Sequence, residues 1–177
     1  KDTVKDGASV RFFRDEKSLL QDFLRFWIDT KPTIISGWNI DQFDTPYLYN
    51  RITKVFGEEF ANALSPIQQV RYNQNKKKYR IAGVSSLDYI ELYRKFTYVQ
   101  RSSYRLDYIG QIEVDMGKVE YEGTLDMLFE NDIDKFIEYN LVDVKIVVAL
   151  ENKLKLIDLA RAVSHMGRIP YEEVYFS

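Results

Sequence analysis

Thr33-Ile34-Ile35-Ser36-Gly37-Trp38-Asn39-Ile40-Asp41-Gln42-Phe43-Asp44-Thr45-Pro46 is the stretch that decides the fold class. Its opening residues are rich in β-branched side chains and follow Pro32 too closely to build a helix, so they predict a short buried strand. Thr45-Pro46 then predicts a helix start, with Thr45 as N-cap and Pro46 at the first helical position. That helix carries Leu48, Ile52 and Val55 and stops at Gly57. A strand that feeds a helix within a few residues is the step from which α/β proteins are built. Ligands of open α/β sheets bind at the carboxyl ends of strands, where Asn39 to Asp44 lie. Asp44 also has a purely structural role open to it, at the positive end of the helix dipole.

The flanking sequence extends the same pattern. Asp15 is placed to cap a helix over residues 16–29, with Leu19, Leu20, Phe23, Leu24 and Trp27 as its apolar stripe. Residues 70–84 read as two strands around the polar tip Asn73-Gln74-Asn75-Lys76-Lys77-Lys78. Residues 84–88 form a further strand leading into a helix through Tyr89, Leu92, Tyr93 and Phe96. Ser103 is expected to cap a helix to about Ile112, and Gly117 and Gly123 mark loops. Asp132 opens a long helix, and a last one covers about 155–166. No repeat and no Gly-, Pro- or Ser-rich linker divides the chain, so residues 1–177 are expected to form one α/β domain.

Composition narrows the chemistry. Without cysteine, a disulfide scaffold and a thiolate zinc site are excluded. With His165 as the only histidine, His-rich metal centres and Ser-His triads have no material. A metal site must therefore use carboxylates, which suits Mg²⁺, Mn²⁺ or Ca²⁺. The net charge of −2 carries no global signal for nucleic acid, although a local basic groove is compatible with it. Thirteen Tyr and eleven Phe supply rings for base stacking as well as for the core. No stretch is apolar enough to span a membrane, and no signal peptide is present.

One more segment carries chemistry. In Tyr139-Asn140-Leu141-Val142-Asp143, the tyrosine and aspartate stand one helical turn apart on the same face of an otherwise apolar helix. A carboxylate on such a face needs a partner, either a neighbouring donor or a cation.

Asn39-x-x-x-Phe43-Asp44 at a strand-to-helix turn, followed by Tyr139-x-x-x-Asp143 with its aspartate 99 residues after Asp44, resembles two of the three exonuclease motifs of family B DNA polymerases. Ile35-Ser36-Gly37-Trp38-Asn39-Ile40, Asp44-Thr45-Pro46-Tyr47, Gly83-Val84-Ser85-Ser86-Leu87-Asp88-Tyr89 and Tyr139 to Val144 are similar to the T-even-like bacteriophage members. The resemblance runs from about Asp15 to the end. It implies a ribonuclease-H-like (DnaQ-like) fold, proofreading of a single-stranded DNA 3′ end on primer-template DNA, and a polymerase palm domain as neighbour. It also implies two Mg²⁺ or Mn²⁺ ions and, for a phage protein, the bacterial cytoplasm. Carried over by position, Asp143 holds the nucleophile-side metal and Asp44 the second one, through water. Tyr139 orients the attacking water or the scissile phosphate. Glu138 stands where a sister subclass has a histidine five residues before the aspartate, so the tyrosine subclass fits. Asn39 and Phe43 line the pocket for the terminal nucleotides or serve as scaffold.

Two departures qualify the comparison. The family's first motif, Asp-x-Glu on the first strand, is not found upstream of Asp44, where Asp15-Glu16 are adjacent and open a helix. The chain, which begins Lys1-Asp2-Thr3, is therefore expected to be a fragment without its first strands. With half the carboxylates absent, weak metal binding, little activity alone and self-association through an exposed sheet edge are expected. The second departure is a hairpin at 70–83 shorter than that of the phage relatives, tipped by lysines able to contact phosphates. Two alternatives stay open: a non-catalytic domain that binds single-stranded DNA or braces a polymerase, and a stand-alone exoribonuclease of the same fold.

Overall fold

Asp15 opens the first helix in the way its side chain allows. In the computed structural model, which describes residues 2–117 and 119–176, its carboxylate accepts from the Ser18 backbone N–H at 2.7 Å. This caps helix α1 (Glu16–Thr30), which ends at Lys31 in the left-handed region. Ahead of it, β1 (Thr3–Lys5) and β2 (Ala8–Val10) form an antiparallel hairpin turned at Asp6-Gly7, both at positive φ. Strand β3 (Ile34–Gly37) follows Pro32 as expected, but its residues are half-buried, with Ser36 exposed, rather than buried.

Helix α2 (Asp44–Phe56) starts two residues earlier than the Thr45-Pro46 signal indicates. Phe43 occupies the cap position without a side-chain cap, and its carbonyl accepts from the Tyr47 N–H at 3.1 Å. Thr45 is thus already helical and buried, and Pro46 still falls in the first turn, where its missing N–H has no intrahelical partner to lose. Gly57, at φ 102°, separates α2 from the short α3 (Glu58–Asn62). The hairpin β4 (Val70–Asn73) and β5 (Lys78–Ile81) is in register Asn73↔Lys78 through Val70↔Ile81. Strand β6 (Ser85–Asp88) pairs with β3.

Five helices follow: α4 (Tyr89–Phe96), α5 (Leu106–Val114), α6 (Leu125–Asn131), α7 (Ile133–Leu154) and α8 (Leu156–Gly167), then a 3₁₀ segment (Tyr171–Phe176). Ser103 does not cap α5. The helix begins after Arg105, and the Ser103 hydroxyl instead accepts from the Arg105 N–H in a local turn. Asp132 caps α7, accepting from the Lys135 N–H at 3.0 Å. The architecture is mixed α/β with small two-stranded sheets.

The chain divides into two compact units. The first comprises residues to Ile35 with Asp41–Ser86, and the second Ser36–Ile40 with Leu87–Ser177. The first is built on Leu20 and Leu24 of α1, Tyr49 and Ile52 of α2, Ala61, Leu64, Ile81 and Val84. There the Trp27 indole N–H donates to the Leu64 carbonyl at 2.9 Å. The second buries Leu87, Tyr89, Leu92, Tyr93, Ile109, Ile146, Leu150, Ala160 and Val174. In it the Trp38 indole donates to the Tyr104 carbonyl at 3.1 Å and lies against Tyr89 and Tyr93. Among the described residues no helix is long and apolar enough to cross a membrane.

Candidate functional site

Phe43 and Asp44 belong to the first unit, and Asn39, Tyr139 and Asp143 to the second. In the first unit, Asp44 is the opening residue of α2, where the helix dipole favours a negative charge. Its side chain reaches solvent, but the protein around it withdraws the carboxyl from part of its hydration and raises its pKa above the ordinary value. A hydrogen bond from its own backbone N–H opposes that rise. Phe43 beside it is 67% exposed, and Tyr47 one turn along α2 is also open to solvent. Exposed rings flanking a carboxylate offer faces on which a base can stack.

The loop into α2 holds a residue that the sequence did not single out. Asp41 is only 5% exposed. Its Oδ2 accepts from Lys78 Nζ at 2.6 Å, and its Oδ1 from the Ser86 hydroxyl at 2.5 Å. A buried carboxylate in a polar run gives no periodic signal. Its partners lie 37 and 45 residues away, so spacing alone does not reveal it.

In the second unit, Tyr139 and Asp143 lie one turn apart on α7. Tyr139 is buried, with its ring edge-on to Tyr121 at 5.4 Å between centroids, and Asp143 is half-buried. Leu128 of α6 is also buried, and α6 packs on α7, with the Phe129 and Phe136 rings edge-on at 5.3 Å between centroids. Gly110 of α5 packs so close to α7 that an added Cβ would lie 2.8 Å from Ile146 Cγ2. Asn39 stands at φ 64°, and its backbone N–H donates to Asp88 Oδ1 at 2.8 Å. Asp88 also caps α4 through the Ile90 N–H, so its burial is explained by the backbone groups it satisfies. His165 is exposed in the last turn of α8, where a helix C-terminus favours positive charge.

The donor chemistry suits a hard divalent cation. Asp44 and Asp143 offer carboxylate oxygens, the ligand type such a cation prefers. Among the described residues no group of three or more His, Cys, Asp or Glu gathers as a metal cage. At the hairpin tip Lys76 and Lys77 are exposed, whereas Lys78 is turned inward to Asp41.

Comparison with known proteins places these residues in context. Residues 1–109 match the family described as DNA polymerase family B, exonuclease domain. A DNA-directed DNA polymerase of Escherichia phage RB69 is 38% identical over 169 residues, covering 92% of this chain and 19% of the relative. That of Enterobacteria phage T4 is 36% identical over 177 residues, covering 97% and 20%. DNA polymerase 1 of Sulfolobus acidocaldarius is 31% identical over 177 residues, covering 92% and 18%. The chain thus spans about a fifth of the length of these relatives.

Proposed function

From the premise that this chain belongs to the family B DNA polymerase exonuclease-domain family, we propose that it forms part of a proofreading 3′→5′ exonuclease of a DNA polymerase. Its substrate is the single-stranded 3′ end of a primer, and its fold is the ribonuclease-H-like one. Asp44 and Asp143 hold the metal, Mg²⁺ or Mn²⁺. When bound, two such ions bring the pKa of water toward neutrality and offset charge on the attacking and leaving oxygens. The protein's own groups do the rest. Tyr139, its ring fixed by burial and by Tyr121, presents a hydroxyl that orients the attacking water or the scissile phosphate. Phe43 offers a stacking face, and Asn39 a polar side chain on a turn held by Asp88, for the terminal nucleotides.

What supports this proposal is that Asp44 opens α2 and that Tyr139 and Asp143 stand one turn apart on one face of α7, in the order of the two motifs quoted above. The test is shortening of a 5′-labelled single-stranded oligonucleotide by the full-length polypeptide that contains this chain, with Mg²⁺. Asp44→Ala and Asp143→Ala are each expected to lower the rate by about 10³-fold, the equivalent of roughly 4 kcal/mol of transition-state stabilisation. Unchanged rates refute the site. Undiminished DNA binding by a wild type that never cleaves would favour a non-catalytic binding domain.

A further inference from the structure

The hairpin β4–β5 is fastened to the segment that carries Phe43 and Asp44, and one residue makes the fastening polar. Lys78, the first residue of β5, keeps only 19% of its side chain exposed and places Nζ 2.6 Å from Asp41 Oδ2. Asp41 lies three residues before Asp44, and its other oxygen is held by Ser86 of β6. The next residue of β5, Tyr79, donates its hydroxyl to Asn50 Oδ1 at 2.9 Å and packs its ring 4.6 Å from that of Tyr49, both on α2. Strand β5 therefore grips the loop before α2 and the middle of the helix together.

Tyr79 explains adhesion, since it adds ring contact and a neutral hydrogen bond. Lys78 calls for another account. Burying an ion pair is a poor source of stability, because desolvation of both charges offsets most of their attraction. What such a pair imposes is geometry: a short, charge-assisted hydrogen bond has a narrow range of lengths and directions. Asp41 is so placed that this geometry fixes the loop from which Phe43 and Asp44 emerge.

We infer that Lys78 is a positioning residue which, through Asp41, sets the placement of the Phe43–Asp44 segment for hydrolysis of the DNA 3′ end. The inference rests on the exonuclease role proposed above. It makes the hairpin part of the hydrolytic apparatus through the residue that opens β5, next to the turn.

The experiment uses the full-length polypeptide, a single-stranded oligonucleotide and Mg²⁺. Misplacement of a reacting group by about 1 Å costs on the order of 10²-fold. Lys78→Met is accordingly expected to lower kcat by roughly 10- to 100-fold while KM for DNA stays within about twofold. Lys78→Arg, which keeps a donor cation, is expected to restore most of the loss. Lys54→Met, at an exposed lysine on α2, is the control for charge removal and leaves kcat unchanged. Backbone hydrogen exchange over residues 40–45 is expected to speed up about tenfold in Lys78→Met and to be unaltered in Lys54→Met. An unchanged kcat, or a loss confined to KM, overturns the inference. If Lys78→Met does not fold, Asp41→Asn, which keeps the side chain's shape but removes the charge and turns one acceptor into a donor, must lower kcat by at least threefold, and no decline overturns the inference. A wild type inert toward DNA refutes the exonuclease role instead. Hydrogen exchange then decides alone whether Lys78 holds the loop, and unaltered exchange overturns that as well.

Discussion

Gly110→Ala probes the packing that supports α7. Gly110 has an ordinary helical backbone inside α5, so nothing in its conformation calls for glycine. In an unobstructed helix the change stabilises by about 1 kcal/mol, because alanine has less backbone freedom to lose. Here an added Cβ would stand 2.5 Å from the Met116 carbonyl oxygen and 2.8 Å from Ile146 Cγ2. The first obstacle is backbone, pinned where the Met116 N–H donates back to the Gly110 carbonyl at 3.1 Å, so it cannot rotate aside. Overpacking of this kind costs about 1–3 kcal/mol, and a rigid neighbour puts the cost in the upper half of that range. Subtracting the propensity gain leaves a net loss of about 1–2 kcal/mol. For a chain of this size that lowers Tm by about 3–6 °C, measurable by circular dichroism. Because Ile146 is one turn past Asp143, relief of the clash by movement of α7 should also slow DNA hydrolysis. A variant stabilised by about 1 kcal/mol, as an open helical site would be, refutes the close approach of α5 and α7.

Three further outcomes are expected. Glu113 accepts from Tyr93, Lys153 and Arg101; burial alone would raise its carboxyl, but these hydrogen bonds outweigh burial and hold it below the ordinary value of 4.5. Its contribution is therefore present at neutral pH and lost as pH falls through the lowered folded value, so Glu113→Gln should cost about 2 kcal/mol at pH 7 and progressively less below pH ~4.5 in urea titrations. Asp88→Ala removes the α4 cap and leaves the Asn39 N–H without its acceptor, and should cost about 2–3 kcal/mol in the same titrations. Tyr139→Phe keeps the ring against Tyr121, so it should cost no more than about 1.5 kcal/mol while hydrolysis of single-stranded DNA falls by about 10²-fold; equal loss in both would make the hydroxyl structural.

Where periodicity extends over several turns, the sequence was enough. The stripe from Leu20 to Trp27 marks α1, and the apolar run after Asp132 marks α7 with its cap. The β-branched residues after Pro32 likewise mark β3. The β1–β2 hairpin escaped because each strand has three residues, although Asp6-Gly7 is a turn signal for which both residues accept positive φ. Helices α3 and α6 are five and seven residues long, too short to display a repeat, and Thr124 as the α6 cap has no pattern behind it to announce. Family likeness brought Asp44, Tyr139 and Asp143 forward, and the local sequence alone left each with a structural alternative. Asp41 was invisible for a different reason: its environment is made by β5 and β6, and only the folded chain brings them to it.

Trp27 and Trp38 are the chain's two tryptophans, one in each compact unit, and each indole N–H is tied to a main-chain carbonyl. The molecule thus carries a separate optical reporter for each half. Trp27→Phe and Trp38→Phe variants would give emission from one unit at a time, and denaturant curves that superimpose would identify a single cooperative transition, whereas separated midpoints would show one half melting before the other. Fluorescence alone then reveals whether the segment bearing Asp44 and the helix bearing Asp143 share one stability or have two.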